Sequence, residues 1–212
     1  MQDKGEDLKG KRCLILGGGP VALSLADKLM QFGAIPLTFS APSGFVYEPD
    51  GFDMGKWKVV DKIKSERGAL LGRYIISSTT AQFNHPNSIL DIPCDICFPC
   101  DTVHEIDDAA VGKLADNGCQ AIVEGGHASV APKARGLIKK RGLLYAPHNL
   151  TLTGPAIVHS LGVKSTDELL AENVARIYQD VKLTASEFNA RGDLFAGANI
   201  LGFLRVANVM MT

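Results

Sequence analysis

No uninterrupted apolar run in this sequence approaches the roughly 20 residues that a transmembrane helix needs. The opening residues, Met-Gln-Asp-Lys-Gly-Glu-Asp, are too polar for a secretory signal. The expected location is therefore cytoplasmic, or an organelle matrix after loss of a presequence, with no membrane partner. Charge of one sign is missing as well. The 22 Lys and Arg offset 23 Asp and Glu, for a formal net charge of −1, so no electrostatic footprint for nucleic acid is expected. Cysteine is sparse and odd in number, five in all, which argues against a disulfide framework. Three of the five, Cys94, Cys97 and Cys100, follow a C-x-x-C-x-x-C spacing that would suit an iron–sulfur cluster. However, residues 94–99 read as a buried strand, on which positions three apart face opposite ways. The fourth cysteine of the bacterial cluster pattern is also missing. Structural cysteines are expected. With 46% hydrophobic and 21% charged residues, the composition is that of a globular fold.

What is present is organised around residues 13–22, Cys-Leu-Ile-Leu-Gly-Gly-Gly-Pro-Val-Ala. Four apolar residues enter three glycines, and an amphipathic stretch follows at once. Gly17, Gly19 and Ala22 fit G-x-G-x-x-G/A, with Gly18 between them. The first glycine permits a tight turn, the second lets backbone approach a pyrophosphate, and Ala22 lets helix pack on strand. Pro20 suits the first helical turn, where its missing N–H costs nothing, and Val21 continues it. The helix start offers free N–H groups to phosphate oxygens.

After a charged lead-in at residues 1–11, the chain alternates strand and helix. The helix expected at 21–32 carries Val21, Leu25, Leu29 and Phe32 on one face and stops at Gly33. A second strand is expected at 35–39, a helix at 52–67, a short strand at 74–77 and a strand at 92–99. Beyond these come a helix at 107–117, a strand at 120–123, a helix at 131–141 and a strand at 143–145. Such alternation predicts an α/β fold: a doubly wound, mostly parallel, Rossmann-like sheet with helices on both faces. This domain is expected over 12–165. Residues 166–212 change to helical spacing, with Ser165 or Thr166 as cap and Gly192 between two C-terminal helices. In a sheet of this kind ligands bind at the carboxyl ends of strands. There the sequence places Ser40, Pro99–Asp101, Glu124–His127 and 147–149. Ser40-Ala-Pro-Ser-Gly supplies no carboxylate for a ribose 2′-hydroxyl, while the end of the 52–67 helix carries Lys62, Lys64 and Arg67. Hydroxyls and cations favour a 2′-phosphate, hence NADP over NAD, although Lys and Arg also suit a helix C-terminus for its dipole alone. His104, His127, His148 and His159 lie near expected strand ends, but their spacings match no metal motif.

Several stretches taken together resemble the cofactor-binding domain of glutamate dehydrogenase. They are Cys94-Asp-Ile-Cys-Phe-Pro-Cys, Ala121-Ile-Val-Glu-Gly, Gly142-Leu-Leu-Tyr-Ala-Pro and Gly197-Ala-Asn-Ile-Leu-Gly-Phe-Leu-Arg-Val-Ala. Ser43-Gly-Phe-Val-Tyr-Glu-Pro-Asp-Gly-Phe and Ile63-Lys-Ser-Glu-Arg are similar to the NADP-using members. The resemblance implies reversible oxidation of L-glutamate to 2-oxoglutarate and ammonia. It implies a dinucleotide held by Gly17, Gly18, Gly19, Pro20, Val21, Ser40, Lys64, Arg67, Pro99, Cys100, Asp101, Glu124, Gly125, Gly126 and His127. It also implies a preceding substrate domain that holds the family's catalytic lysine and aspartate, to which no stretch here corresponds, and a homo-oligomer in the full protein. Departures from the family pattern gather at the cleft: Pro20, Ala41, Asp101, His104, Gly126-His127, Leu152 and Pro155, with His159 near the place of a glutamate-contacting serine. Asp101 stands where it can repel ribose or carboxamide groups, or point to water. Two readings follow: the NADP-binding part of a glutamate dehydrogenase-like enzyme, inactive without its substrate domain, or a catalytically silent homologue acting as a binding or assembly module. A third is a domain for another phosphate-bearing ligand such as an adenine nucleotide.

Overall fold

The computed structural model describes residues 7–101, 106–162 and 166–211. The chain forms two compact units, Met1–Leu144 and Tyr145–Thr212. β1 (Arg12–Leu16), β2 (Ile35–Pro36), β6 (Ile96–Pro99), β7 (Ala121–Val123) and β8 (Leu144–Ala146) form a five-stranded sheet in the order β2-β1-β6-β7-β8, with β8 beginning at the last residue of the first unit. The pairs β1/β2, β1/β6 and β6/β7 are parallel, as the alternation of strand and helix predicts. β1 and β6 are buried along almost their whole length, which is why both read as continuous apolar runs rather than alternating ones. α1 (Pro20–Gln31) follows β1, α3 (Asp108–Asp116) follows β6 and α4 (Ala134–Lys140) follows β7. Asp107 caps α3, its carboxylate accepting the Ala110 N–H at 2.8 Å.

The second strand departs from expectation. It does not run as one strand from Ile35 to Phe39: the Leu37 N–H still donates to the Cys13 carbonyl at 2.9 Å, and the backbone leaves β1 at Thr38. The Thr38 hydroxyl takes over: it accepts the Ile15 N–H at 3.1 Å and donates to the Ile15 carbonyl at 2.9 Å. Beyond it, β3 (Thr38–Ala41), β4 (Gly44–Tyr47) and β5 (Gln82–Asn84) make a separate antiparallel sheet in the order β3-β4-β5. The short strand expected at 74–77 is instead part of a 3₁₀ segment, Leu71–Ser77. There only Leu71 and Tyr74 are buried, while Ile76 is 88% exposed, so the apolar run has no sheet face to cover. The helix expected at 52–67 is shorter, α2 (Met54–Ser65), and Asp53 caps it. The core gathers around Ile15, Phe39, Phe52, Tyr74, Ile96 and Phe98. Phe39 and Phe52 meet edge-on with centroids 4.8 Å apart, and Phe52 reaches Tyr74 at 5.4 Å.

Tyr74 is buried because a carboxylate waits for it. Glu48 is wholly buried. Its Oε1 accepts the Tyr74 hydroxyl at 2.7 Å, and its Oε2 accepts Lys56 Nζ at 2.9 Å and the Thr80 hydroxyl at 2.7 Å. Burial alone would raise this carboxyl's pKa. The hydrogen bonds from Lys56, Ser78, Thr80 and Tyr74 outweigh it and hold the value at about 2. Burial, together with the same contact, raises the Tyr74 hydroxyl.

In the second unit, α5 (His148–Thr151) and α6 (Thr153–Leu161) precede α7 (Asp167–Glu187) and α8 (Leu194–Met210). Thr166 caps α7 by accepting the Leu169 N–H, and Asp193 caps α8 by accepting the Ala196 N–H. α8 packs on α7 at Gly197, where a Cβ would run into the Val181 carbonyl and lie 2.9 Å from Ala185 Cβ. The mix of small and large residues in this stretch predicts such close packing.

Candidate functional site

The three glycines after β1 do three different jobs. Gly17 has φ +127°, which L side chains rarely adopt. Its N–H donates to Ser40 Oγ at 2.6 Å, and its carbonyl accepts the Ser40 N–H at 2.9 Å. Ser40, at the end of β3, thus clamps the turn from one side. Its hydroxyl accepts in that bond and keeps its own proton to donate. Gly18 lies against the same residue, so that a Cβ there would sit 2.6 Å from the Ser40 carbonyl oxygen. Gly19 has nothing within 4 Å of its Cβ position. It is the N-cap of α1, no side chain caps the helix, and Pro20 occupies the first turn. Val21 is half exposed. An uncapped helix start beside open space is a cradle for a phosphate.

A cation stands at this cradle. Lys64, in the last turn of α2, places Nζ 3.6 Å from the Cβ position of Gly18. It is exposed, and among the described residues no carboxylate pairs with it. Arg67 lies beyond the helix end, after the capping residue Glu66, and is exposed.

The other flank comes from β6 and β7. The Cys100 N–H donates to the Leu16 carbonyl at 2.8 Å, continuing the β1/β6 ladder past Pro99. Asp101 follows, exposed, with its Cβ 3.3 Å from the Cβ position of Gly17. The Gly125 and Gly126 N–H groups both donate to the Pro99 carbonyl, at 2.8 and 2.9 Å. A Cβ on Gly125 would lie 2.6 Å from Cys100 Sγ, and one on Gly126 would lie 2.6 Å from Ser129 Oγ. This second glycine turn is therefore small so that it can pack on the end of β6. Glu124 is wholly buried, and its Oε1 accepts the Val130 N–H at 2.7 Å, closing the loop that carries exposed His127. Within that loop Ala128 has φ +51°. Ser129 is buried, and among the described residues its hydroxyl finds no hydrogen-bond partner. In the sequence Ser129 is marked by nothing but its place two residues after His127.

The structure thus brings Gly17, Gly18, Gly19, Ser40 and Lys64 together, with Cys100 and Asp101 on the opposite flank and Glu124–His127 behind them. It does not tie Arg67 to the turn. His104 lies outside the described residues. His127 is on a loop, His148 opens α5 and His159 lies in α6. Among the described residues no group of three or more His, Cys, Asp or Glu is placed to hold a metal. The cysteines divide as well. Cys100 abuts Gly125, while the Cys94 thiol hydrogen-bonds Cys119 at the amino ends of β6 and β7, raising Cys94 and lowering Cys119. Burial, with Asp95 nearby, pushes the Cys13 thiol up to about 12. No helix among the described residues is long and apolar enough to cross a membrane.

The open cradle, the uncapped helix and the adjacent ammonium fit a dinucleotide's phosphates. Known proteins are similar to this chain over nearly its whole length. The chain is 34% identical to the NADP-specific glutamate dehydrogenase of Chlorella sorokiniana, over 99% of this chain and 42% of that protein. It is 27% identical to the NAD-specific glutamate dehydrogenase of Bacteroides fragilis, over 100% of this chain and 50% of that protein. The crystal structure of Plasmodium falciparum glutamate dehydrogenase superposes with a TM-score of 0.92 at 29% identity, covering 99% of this chain and 48% of that one. The chain spans about half the length of the curated relatives it matches. The family described as Glutamate/Leucine/Phenylalanine/Valine dehydrogenase matches residues 1–212, and the chain belongs to it.

Proposed function

We propose that this chain is the dinucleotide-binding part of a glutamate dehydrogenase-like oxidoreductase, acting on L-glutamate and 2-oxoglutarate together with a substrate domain, and preferring NADP to NAD. The observation that carries the reading is Lys64 Nζ beside the Gly17–Gly19 turn. In a doubly wound sheet the ribose nearest the end of the second strand is the one that carries the 2′-phosphate. Ser40 and Lys64 supply a hydroxyl and an ammonium on that side, and no carboxylate of residues 40–44 opposes them. A bound nicotinamide supplies the hydride acceptor. The chain's own residues bind and orient it: the α1 start holds the pyrophosphate, Lys64 and Arg67 hold the 2′-phosphate, and Pro99–Asp101 with Glu124–His127 border the redox half. The reacting acid–base groups for glutamate are assigned to the substrate domain and none to this chain. A homo-oligomer is the expected assembly. The alternative, a catalytically silent module, draws support from the Asp101 carboxylate in the cleft.

The direct test is the double substitution Lys64→Ala/Arg67→Ala. It is expected to weaken NADPH binding by ~1–3 kcal/mol through loss of charge-assisted hydrogen bonds, with NADH binding almost unchanged in the same calorimetric titration. Equal losses for both cofactors would refute the 2′-phosphate assignment. Cys100 offers an independent check. It is half-buried, while Cys13, Cys94, Cys97 and Cys119 are buried. It is expected to be the first cysteine alkylated by maleimide in the native protein, and NADPH is expected to slow that reaction. Peptide mass spectrometry over a time course reads both outcomes.

A further inference from the structure

We propose that Asp101 makes this cleft distinguish the two redox forms of its dinucleotide, favouring the oxidised form, whose nicotinamide ring is cationic, over the neutral reduced form. The inference rests on the dinucleotide reading above. The sheet order β2-β1-β6 puts the reversal of strand order at β1, so a dinucleotide crosses the Gly17 turn with its halves on either side. The two sides carry opposite charge. Toward β3, Lys64 Nζ lies 3.6 Å from the Cβ position of Gly18; toward β6, Asp101 Cβ lies 3.3 Å from that of Gly17. Asp101 is exposed, and among the described residues no cation pairs with it. Its charge is therefore uncompensated where the redox half must lie.

A carboxylate repels the pyrophosphate equally in both redox forms, so that effect cancels in the ratio of their affinities. The ring does not cancel, because only the oxidised ring carries a positive charge. For unit charges about 6–8 Å apart in a largely aqueous dielectric, the expected preference is about two- to fivefold.

The test titrates the full chain, Asp101→Asn and Asp101→Glu with oxidised and reduced NADP, after circular dichroism melts show all three folded. Asp101→Asn is expected to tighten reduced NADP more than oxidised, shifting the ratio of their Kd values by about two- to fivefold at low salt. The shift is expected to shrink at high salt, and Asp101→Glu is expected to keep the native ratio. If both forms bind and Asp101→Asn leaves the ratio unchanged, the inference is overturned while the dinucleotide reading stands. Binding gained only in Asp101→Asn would show the carboxylate acting on the whole ligand rather than the ring, and would also overturn it. No binding by any of the three proteins would overturn both.

Discussion

Gly18→Ala is expected to abolish most dinucleotide binding, lowering NADPH affinity on the order of 100-fold, and to destabilise the fold by about 1–3 kcal/mol. The added methyl would lie 2.6 Å from the Ser40 carbonyl oxygen. That atom belongs to backbone in β3 and cannot swing aside as a flexible side chain would. Relief requires the turn to move away from Ser40, which stretches both hydrogen bonds that join Ser40 to Gly17. Gly19→Ala separates the two effects. Nothing lies within 4 Å of its Cβ position, so stability should change by less than about 1 kcal/mol. The methyl instead enters the space assigned to the pyrophosphate, and NADPH binding should still fall. Urea unfolding and calorimetry on the two variants check the pair. A Gly19→Ala protein that binds as tightly as the native chain would place the phosphates elsewhere.

Glu48→Gln is expected to remove roughly 3 kcal/mol of stability at neutral pH, at ~1.4 kcal/mol per pKa unit. It should also flatten the acid limb of the stability curve. The native carboxyl is held at about 2 against an ordinary 4.5, so the unfolded chain takes up this proton first. Its contribution is fully present above about pH 4.5 and is lost as pH falls toward 2. The amide keeps the shape but gives Lys56 no counter-charge and leaves the buried Tyr74 hydroxyl and the Thr80 hydroxyl with a weaker acceptor. Urea midpoints at pH 7, 4 and 3 measure this. Parallel acid limbs for the native protein and the variant would contradict the assignment.

The parts of the fold written in local signals were legible in the sequence. β1 and β6 are unbroken apolar runs, α1 is a helix where its spacing predicts one, and Thr166 caps α7. The expected face of α1 is only partly right: Leu29 is buried, but Val21 and Phe32 are exposed and the buried face is Ala22, Leu23, Ala26 and Leu29. The glycine turn was legible for the same reason, since its conformational demand is local. The antiparallel sheet was not. Its strands have three or four residues, and β4 pairs with β5 across the whole of α2, so no local period marks it. Lys64 was identified by its charge, but only the fold shows that it reaches Gly18 while Arg67, three residues on, has left the helix. Glu124, Gly125 and Gly126 sit at a strand's carboxyl end, and the structure adds a packing demand at each: Glu124 accepts the Val130 N–H, and a Cβ on Gly125 or Gly126 would run into Cys100 or Ser129.

We propose that the cradle at Gly17–Gly19 holds a dinucleotide through its phosphates, with the 2′-phosphate on Lys64. One calorimetric experiment tests it directly: titration of the purified chain with NADPH, NADH and ADP at fixed salt. Saturable NADPH binding in the micromolar range is expected, with weaker NADH binding and the weakest binding for ADP. Absence of heat and saturation with all three ligands would contradict it and favour the silent-module alternative.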